Sequence, residues 1–134
     1  MNISKRTILL IVAVVSIAAI SITIRESRRR AETPKIEAAS AAFKALGSSL
    51  KAYRIHMGDY PSTEEGLLGL VRPSERRKER WNGPYFDAAS VPIDPWGNPY
   101  QYRNPGTKNS TAYDLWSLGP DGVASGDDIG NWPK

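Results

Sequence analysis

Hydrophobic and polar positions along the chain change period as the chain proceeds. From Thr7 to Ile24 eighteen residues pass without a charged side chain. At ~1.5 Å per residue a helix of that length reaches about 27 Å, close to the ~30 Å hydrocarbon layer of a bilayer. Ser16, Ser21 and Thr23 within the run can bond back to carbonyls one turn earlier, so they do not spoil a membrane span. Further on, Ile36, Phe43, Leu46, Leu50, Tyr53 and Met57 recur at intervals of seven, three, four, three and four, which is one apolar stripe on an α-helix. Ala38, Ala39, Ala41, Ala42 and Ala45 raise helix propensity between those positions and keep the helix slim. A short Arg-rich stretch and Pro34 separate the two segments, leaving open one long, gently kinked rod or an ordinary linker.

Gly58 suits the left-handed position that ends a helix. Ser62 and Glu65 then have the spacing of a reciprocal cap, predicting a short second helix that carries Leu67, Leu68, Leu70 and Val71 and stops near Pro73. Ser74 to Arg80 is a charge run and is expected to be solvated. From Trp81 onward, short apolar pieces are punctuated by Pro, Gly and Asn. Tyr100-Gln101-Tyr102 and Tyr113 to Leu118 alternate as half-buried strands would. The fold class is α+β: a long N-terminal helix, membrane-spanning and then amphipathic, packed on a small antiparallel β-sheet.

Length and charge sharpen this division. The chain has 134 residues, enough for one small domain and an appendage. Its net charge of +4 is unevenly placed: residues 1–30 carry +5 and residues 31–134 carry −1. The basic side chains Lys5, Arg6, Arg25, Arg28, Arg29 and Arg30 flank the apolar run, which suits lipid headgroups and argues against nucleic acid as a partner. The chain thus divides into an anchor over 1–30 and a globular domain over 31–134. A cleaved signal peptide is the rival reading of the first, with Ser16-Ile17-Ala18 as a weak cleavage site followed by more apolar sequence. By flanking charge alone, the C-terminal side would face the cytoplasm.

Candidate chemistry is sparse. The sequence has no Cys, which excludes disulfides, thiolate zinc sites and a Cys nucleophile. Its one histidine, His56, falls off the apolar stripe and is expected to be exposed. No nucleophile elbow or phosphate loop occurs, and the aromatic residues are needed as core, so neither an enzyme nor a small-molecule substrate is expected. The stretch Leu118 to Gly130 is different: Asp121, Asp127 and Asp128 lie among Gly119, Gly122 and Gly126. Glycines let a loop curl so that carbonyl and carboxylate oxygens turn inward, as a hard cation requires, and the adjacent Asp127 and Asp128 would repel without a counter-charge. It lacks the EF-hand spacing. Calcium loop and acidic surface turn both remain open on these residues.

Five blocks together resemble the major pseudopilin (protein G) family of the bacterial type II secretion system. They are Tyr60-Pro61-Ser62-Thr63-Glu64-Glu65-Gly66-Leu67, Trp81-Asn82-Gly83-Pro84-Tyr85, Asp94-Pro95-Trp96-Gly97-Asn98-Pro99-Tyr100-Gln101-Tyr102, Ser117-Leu118-Gly119-Pro120-Asp121-Gly122 and Asp127-Asp128-Ile129-Gly130-Asn131-Trp132. The likeness covers about residues 36 to 132. It implies a long N-terminal helix, a variable region and a small sheet, in a subunit that stacks with copies of itself and with other pseudopilins into a helical filament for protein secretion. The resemblance also implies calcium as cofactor, held by the carboxylates of Asp121, Asp127 and Asp128 and the backbone carbonyls of Leu118 and Val123. It places a single-pass chain in the inner membrane with its C-terminal domain in the periplasm, and a calcium-binding domain facing outward outweighs the flanking charge. The alternative is a membrane-anchored calcium-binding module of the same type that does not polymerise. Between Arg6 and Arg25 there is no Gly, no Phe and no acidic residue, so the family's Gly-Phe cleavage point and early Glu find no counterpart there.

Overall fold

The computed structural model describes residues 4–133. They form two compact units, the first ending at Lys35 and the second beginning at Ile36.

Helix α1 runs over Lys5–Met57 and resolves the question left open at Pro34, which lies inside the helix with no linker around it. Proline removes one N–H from the ladder, a loss the remaining turns of a 53-residue helix absorb. In the first unit the apolar side chains are exposed all round, from Ile8 and Leu9 to Ile22 and Ile24. The hydroxyls do turn inward: Ser16 donates to the Val12 carbonyl at 2.8 Å, Ser21 to Ile17 at 2.9 Å and Thr23 to Ala19 at 3.0 Å.

In the second unit the stripe on α1 is buried at Leu46, Leu50, Tyr53 and Met57. Its upstream end differs from the expected pattern. Ile36 is 43% exposed and Phe43 half-buried, while Ala39 is fully buried. Phe43 still meets the Tyr100 ring edge-on at 5.5 Å. Gly58 ends the helix at φ +90°, and its N–H donates to the Arg54 carbonyl at 2.8 Å.

The reciprocal cap forms as its spacing predicts. The Ser62 N–H donates to Glu65 Oε2 at 2.9 Å, and the Glu65 N–H donates to Ser62 Oγ at 3.2 Å. The cap opens a single 3₁₀ turn over Gly66–Leu70, tighter than the expected helix, which buries Leu67 and Leu70 and leaves Leu68 exposed. Gly66 and Gly69 deprive this segment of helix propensity. The charge run is also less solvated than expected. Arg77 Nε pairs with Glu65 Oε1 at 3.3 Å, its guanidinium lies 5.8 Å from the Tyr53 ring centre, and Ser74 donates to Glu65 at 2.5 Å. Burial works against the Glu65 charge, but the hydroxyls and amide around it, with Arg77, hold its carboxyl below the usual range.

The sheet has three antiparallel strands in chain order: β1 (Gln101–Arg103), β2 (Asp114–Ser117) and β3 (Ile129–Gly130). Tyr102 faces Leu115 across β1 and β2, while Trp116 faces Gly130 and Ser117 faces Ile129 across β2 and β3. Leu115, Tyr100, Tyr113 and Tyr60 pack with Leu67, Leu70 and the α1 stripe as one core. Tyr53 and Tyr60 meet Tyr85 and Tyr113 edge-on at 5.2 and 4.8 Å. The α+β expectation holds.

Candidate functional site

The acidic loop begins where β2 ends and returns as β3, so the Ser117 to Ile129 pairing closes its neck. Gly119 and Gly122 adopt φ of +71° and +68°, a region that L side chains rarely enter. A Cβ at Gly119 would stand 3.2 Å from both the carbonyl oxygen and Oδ2 of Asp127, so the missing side chain keeps open a cradle between the two ends of the loop. Leu118 is half-buried at the entry and Val123 is 59% exposed at the tip.

The three carboxylates are organised locally. Asp121 Oδ1 accepts the Val123 N–H at 3.0 Å, Asp128 Oδ1 accepts the Ser125 N–H at 3.1 Å, and Asp127 Oδ1 accepts a short hydrogen bond from the Ser125 hydroxyl. Among the described residues no three acidic or histidine side chains stand close enough to share one ion, and neither ion pair involves these aspartates. The loop therefore brings Asp127 against Gly119 without gathering all five proposed ligands, Leu118, Asp121, Val123, Asp127 and Asp128, about one point. The donor set is nonetheless all hard oxygen, the chemistry a calcium ion takes, and one of its members, Asp127 Oδ2, lies 3.2 Å from the place a Cβ at Gly119 would fill.

Two buried aspartates hold the surroundings, and sequence reasoning missed both. Asp94 is 3% exposed. Its Oδ1 accepts the N–H groups of Trp96 and Asn98 at 3.0 and 2.7 Å, and its Oδ2 accepts the Ser117 hydroxyl at 2.6 Å. Asp114 is 2% exposed on β2, where alternation places it facing outward. Its carboxylate instead accepts the backbone N–H groups of Thr107, Lys108 and Asn109 at 2.7 to 2.8 Å. Burial opposes that charge, but the three amides and the Thr107 hydroxyl pull the carboxyl below its ordinary range. Asp94 opens one of the five blocks that carry the resemblance, but nothing in the spacing marked either side chain as buried.

The tail is tied by Asn131, whose Oδ1 accepts the Leu115 N–H at 3.0 Å and whose Nδ2 donates to the Tyr113 carbonyl at 3.1 Å. His56 is exposed, as expected, with its ring 5.5 Å from that of Tyr85.

Comparison with known proteins agrees with this architecture. The family model described as type II secretion system (T2SS), protein G, matches residues 27–132. The type II secretion system core protein G of Pseudomonas aeruginosa is 37% identical over 131 residues, covering 93% of this chain and 89% of that protein. That coverage takes the likeness through the apolar run, beyond the residues that carry the five blocks. The protein of the same name from Pectobacterium carotovorum subsp. carotovorum is 43% identical over 90 residues, which is 66% of this chain and 56% of that one. Thus the match spans little more than half of that relative's length. Among solved structures, the major pseudopilin from the type 2 secretion system of enterohaemorrhagic Escherichia coli superposes with a TM-score of 0.67 at 36% identity, covering 78% of this chain and 92% of that one. With its long helix, its short three-stranded sheet and a family match across most of its length, the chain belongs to the type II secretion system protein G family.

Proposed function

We propose that this chain is a structural, non-enzymatic subunit of a type II secretion pseudopilus. It assembles with copies of itself and with other pseudopilins into a filament that helps move folded proteins across the outer membrane. The observation that carries the reading is α1, in which an apolar segment of membrane-spanning length, exposed on all sides, continues into the stripe that organises the domain core. An apolar helix with no covering within its own chain needs lipid or other helices, and Ala13, Ala18 and Ala19 on it allow close helix approach. The anchor lies in the bacterial inner membrane and the domain in the periplasm, where calcium is available to the acidic loop.

Calcium is part of this proposal. Asp121, Asp127 and Asp128, with the carbonyls of Leu118 and Val123, would hold it, and the ion would supply the positive charge that the three acids otherwise lack. Its role is to fasten the loop to the sheet and so stabilise the folded domain. The test is electron microscopy of filaments sheared from a strain overexpressing the full chain together with its secretion machinery. Filaments that carry the chain are expected; its recovery solely as a membrane-bound monomer would count against polymerisation.

A further inference from the structure

We infer that Asp94 and Ser117, neither of them a proposed ligand, act as positioning residues that aim the Leu118 carbonyl for calcium; this rests on the calcium reading above. Ser117 is fully buried, and its hydroxyl donates to Asp94 Oδ2 at 2.6 Å. With its hydrogen committed to Asp94, Ser117 Oγ presents its lone pairs elsewhere and accepts the Gly119 N–H at 3.1 Å. That N–H belongs to the same peptide unit as the Leu118 carbonyl. The unit is trans, so its C=O points opposite to its N–H. Drawing the Gly119 N–H inward to Ser117 therefore turns the Leu118 oxygen the other way.

The carboxylate at the root of this relay is itself fixed. Asp94 Oδ1 accepts the N–H groups of Trp96 and Asn98, so the side chain cannot rotate without losing both bonds. Asn98, held in the same turn, donates from Nδ2 to the Gly119 carbonyl at 3.4 Å. A Cβ at Gly122 would meet Asn98 Oδ1 at 3.3 Å. Both peptide groups of Gly119 are thus oriented from the turn at residues 94–98, one through Ser117 and one through Asn98. Preorganised carbonyls bind a cation without first spending free energy on their own ordering. Partners that orient metal ligands from behind typically change affinity by ~10- to 100-fold when removed.

The experiment is calorimetric titration of calcium chloride into the full chain in detergent, with melting temperature measured in EGTA and in excess calcium. Ser117→Ala and Asp94→Asn are expected to weaken calcium binding by ~10-fold or more. Asn98→Ala, at a half-buried position that leaves the Asp94 to Ser117 bond intact, serves if the first two do not fold, and should weaken binding several-fold. Ser62→Ala is the structural control: it removes a helix cap remote from the loop in sequence, and should lower the melting temperature in EGTA while leaving calcium affinity unchanged. Parent-like affinity in the folded relay variants would overturn the relay and leave the calcium reading standing. If the parent chain itself takes up no calcium, the calcium reading fails and the relay with it.

Discussion

Asp114 shows how a single side chain can depart from its pattern for a local reason. Alternation along β2 turns Leu115 and Ser117 inward and Asp114 outward, yet Asp114 is buried because three successive amides of the preceding loop converge on it. Its carboxyl is held below the ordinary value of 3.8, so its contribution to folding is fully present above that pH and is lost as acid drives the folded group through its lowered pKa. Acid unfolding of Asp114→Asn should therefore be shallower below about pH 4, while at neutral pH the variant should be less stable by about 2 kcal/mol. Equal stability at both ends of the pH range would show that the amides do not need the charge. Composition and spacing identify Asp121, Asp127 and Asp128 as a candidate site because their neighbours are glycines. Asp94 and Asp114 stay hidden because the amides they accept belong to nearby turns whose closure no spacing reports, and Asp94 is covered besides by Ser117, far along the chain.

Among the elements, the readable ones are those long enough to show a period. The α1 stripe repeats over several turns, and its buried members Leu46, Leu50, Tyr53 and Met57 match the spacing. Leu50→Ala should cost about 3 kcal/mol in chemical denaturation of the full chain, since Leu50 is fully buried and the surrounding core cannot fully collapse onto the gap. A loss below about 1 kcal/mol would mean the stripe does not carry the core. Ile36 breaks the pattern because a period reports a helix face without reporting how far other chain covers that face. Strand β3 spans just Ile129 and Gly130, too short for any alternation, and is set by pairing with β2 and by Asn131. The Ser62 to Glu65 cap is legible because both partners are local. The conformation after it is less so: Gly66 and Gly69 weaken an α-helix enough for a 3₁₀ turn to replace it.

At the scale of the whole molecule, the charge division sets the flanks of the candidate membrane span apart from the rest of the chain: +5 over residues 1–30 and −1 over the remainder. Val15 lies near the middle of the apolar run, and Val15→Arg should oppose membrane insertion by about 2.5–3.5 kcal/mol. The expected result is a shift of the chain from the carbonate-resistant membrane fraction to the soluble one; unchanged retention would mean that this run is not the anchor. Assembly with other pseudopilins is legible through the family resemblance alone, since no stripe or patch on one subunit states what meets it. The narrow neck of the acidic loop also has a consequence for resistance to proteolysis. Ala124, Ser125 and Gly126 are exposed, and Gly126 has no neighbouring heavy atom within 4 Å of an added Cβ, so a peptidase can reach this stretch. One cut there would leave the tail held by a two-residue strand, the Ile129 side chain, the bonds of Asn131 and the Trp132 ring against Trp116 and Lys108. A nick at this exposed stretch would then free β3 from the covalent tether to β2 and loosen it.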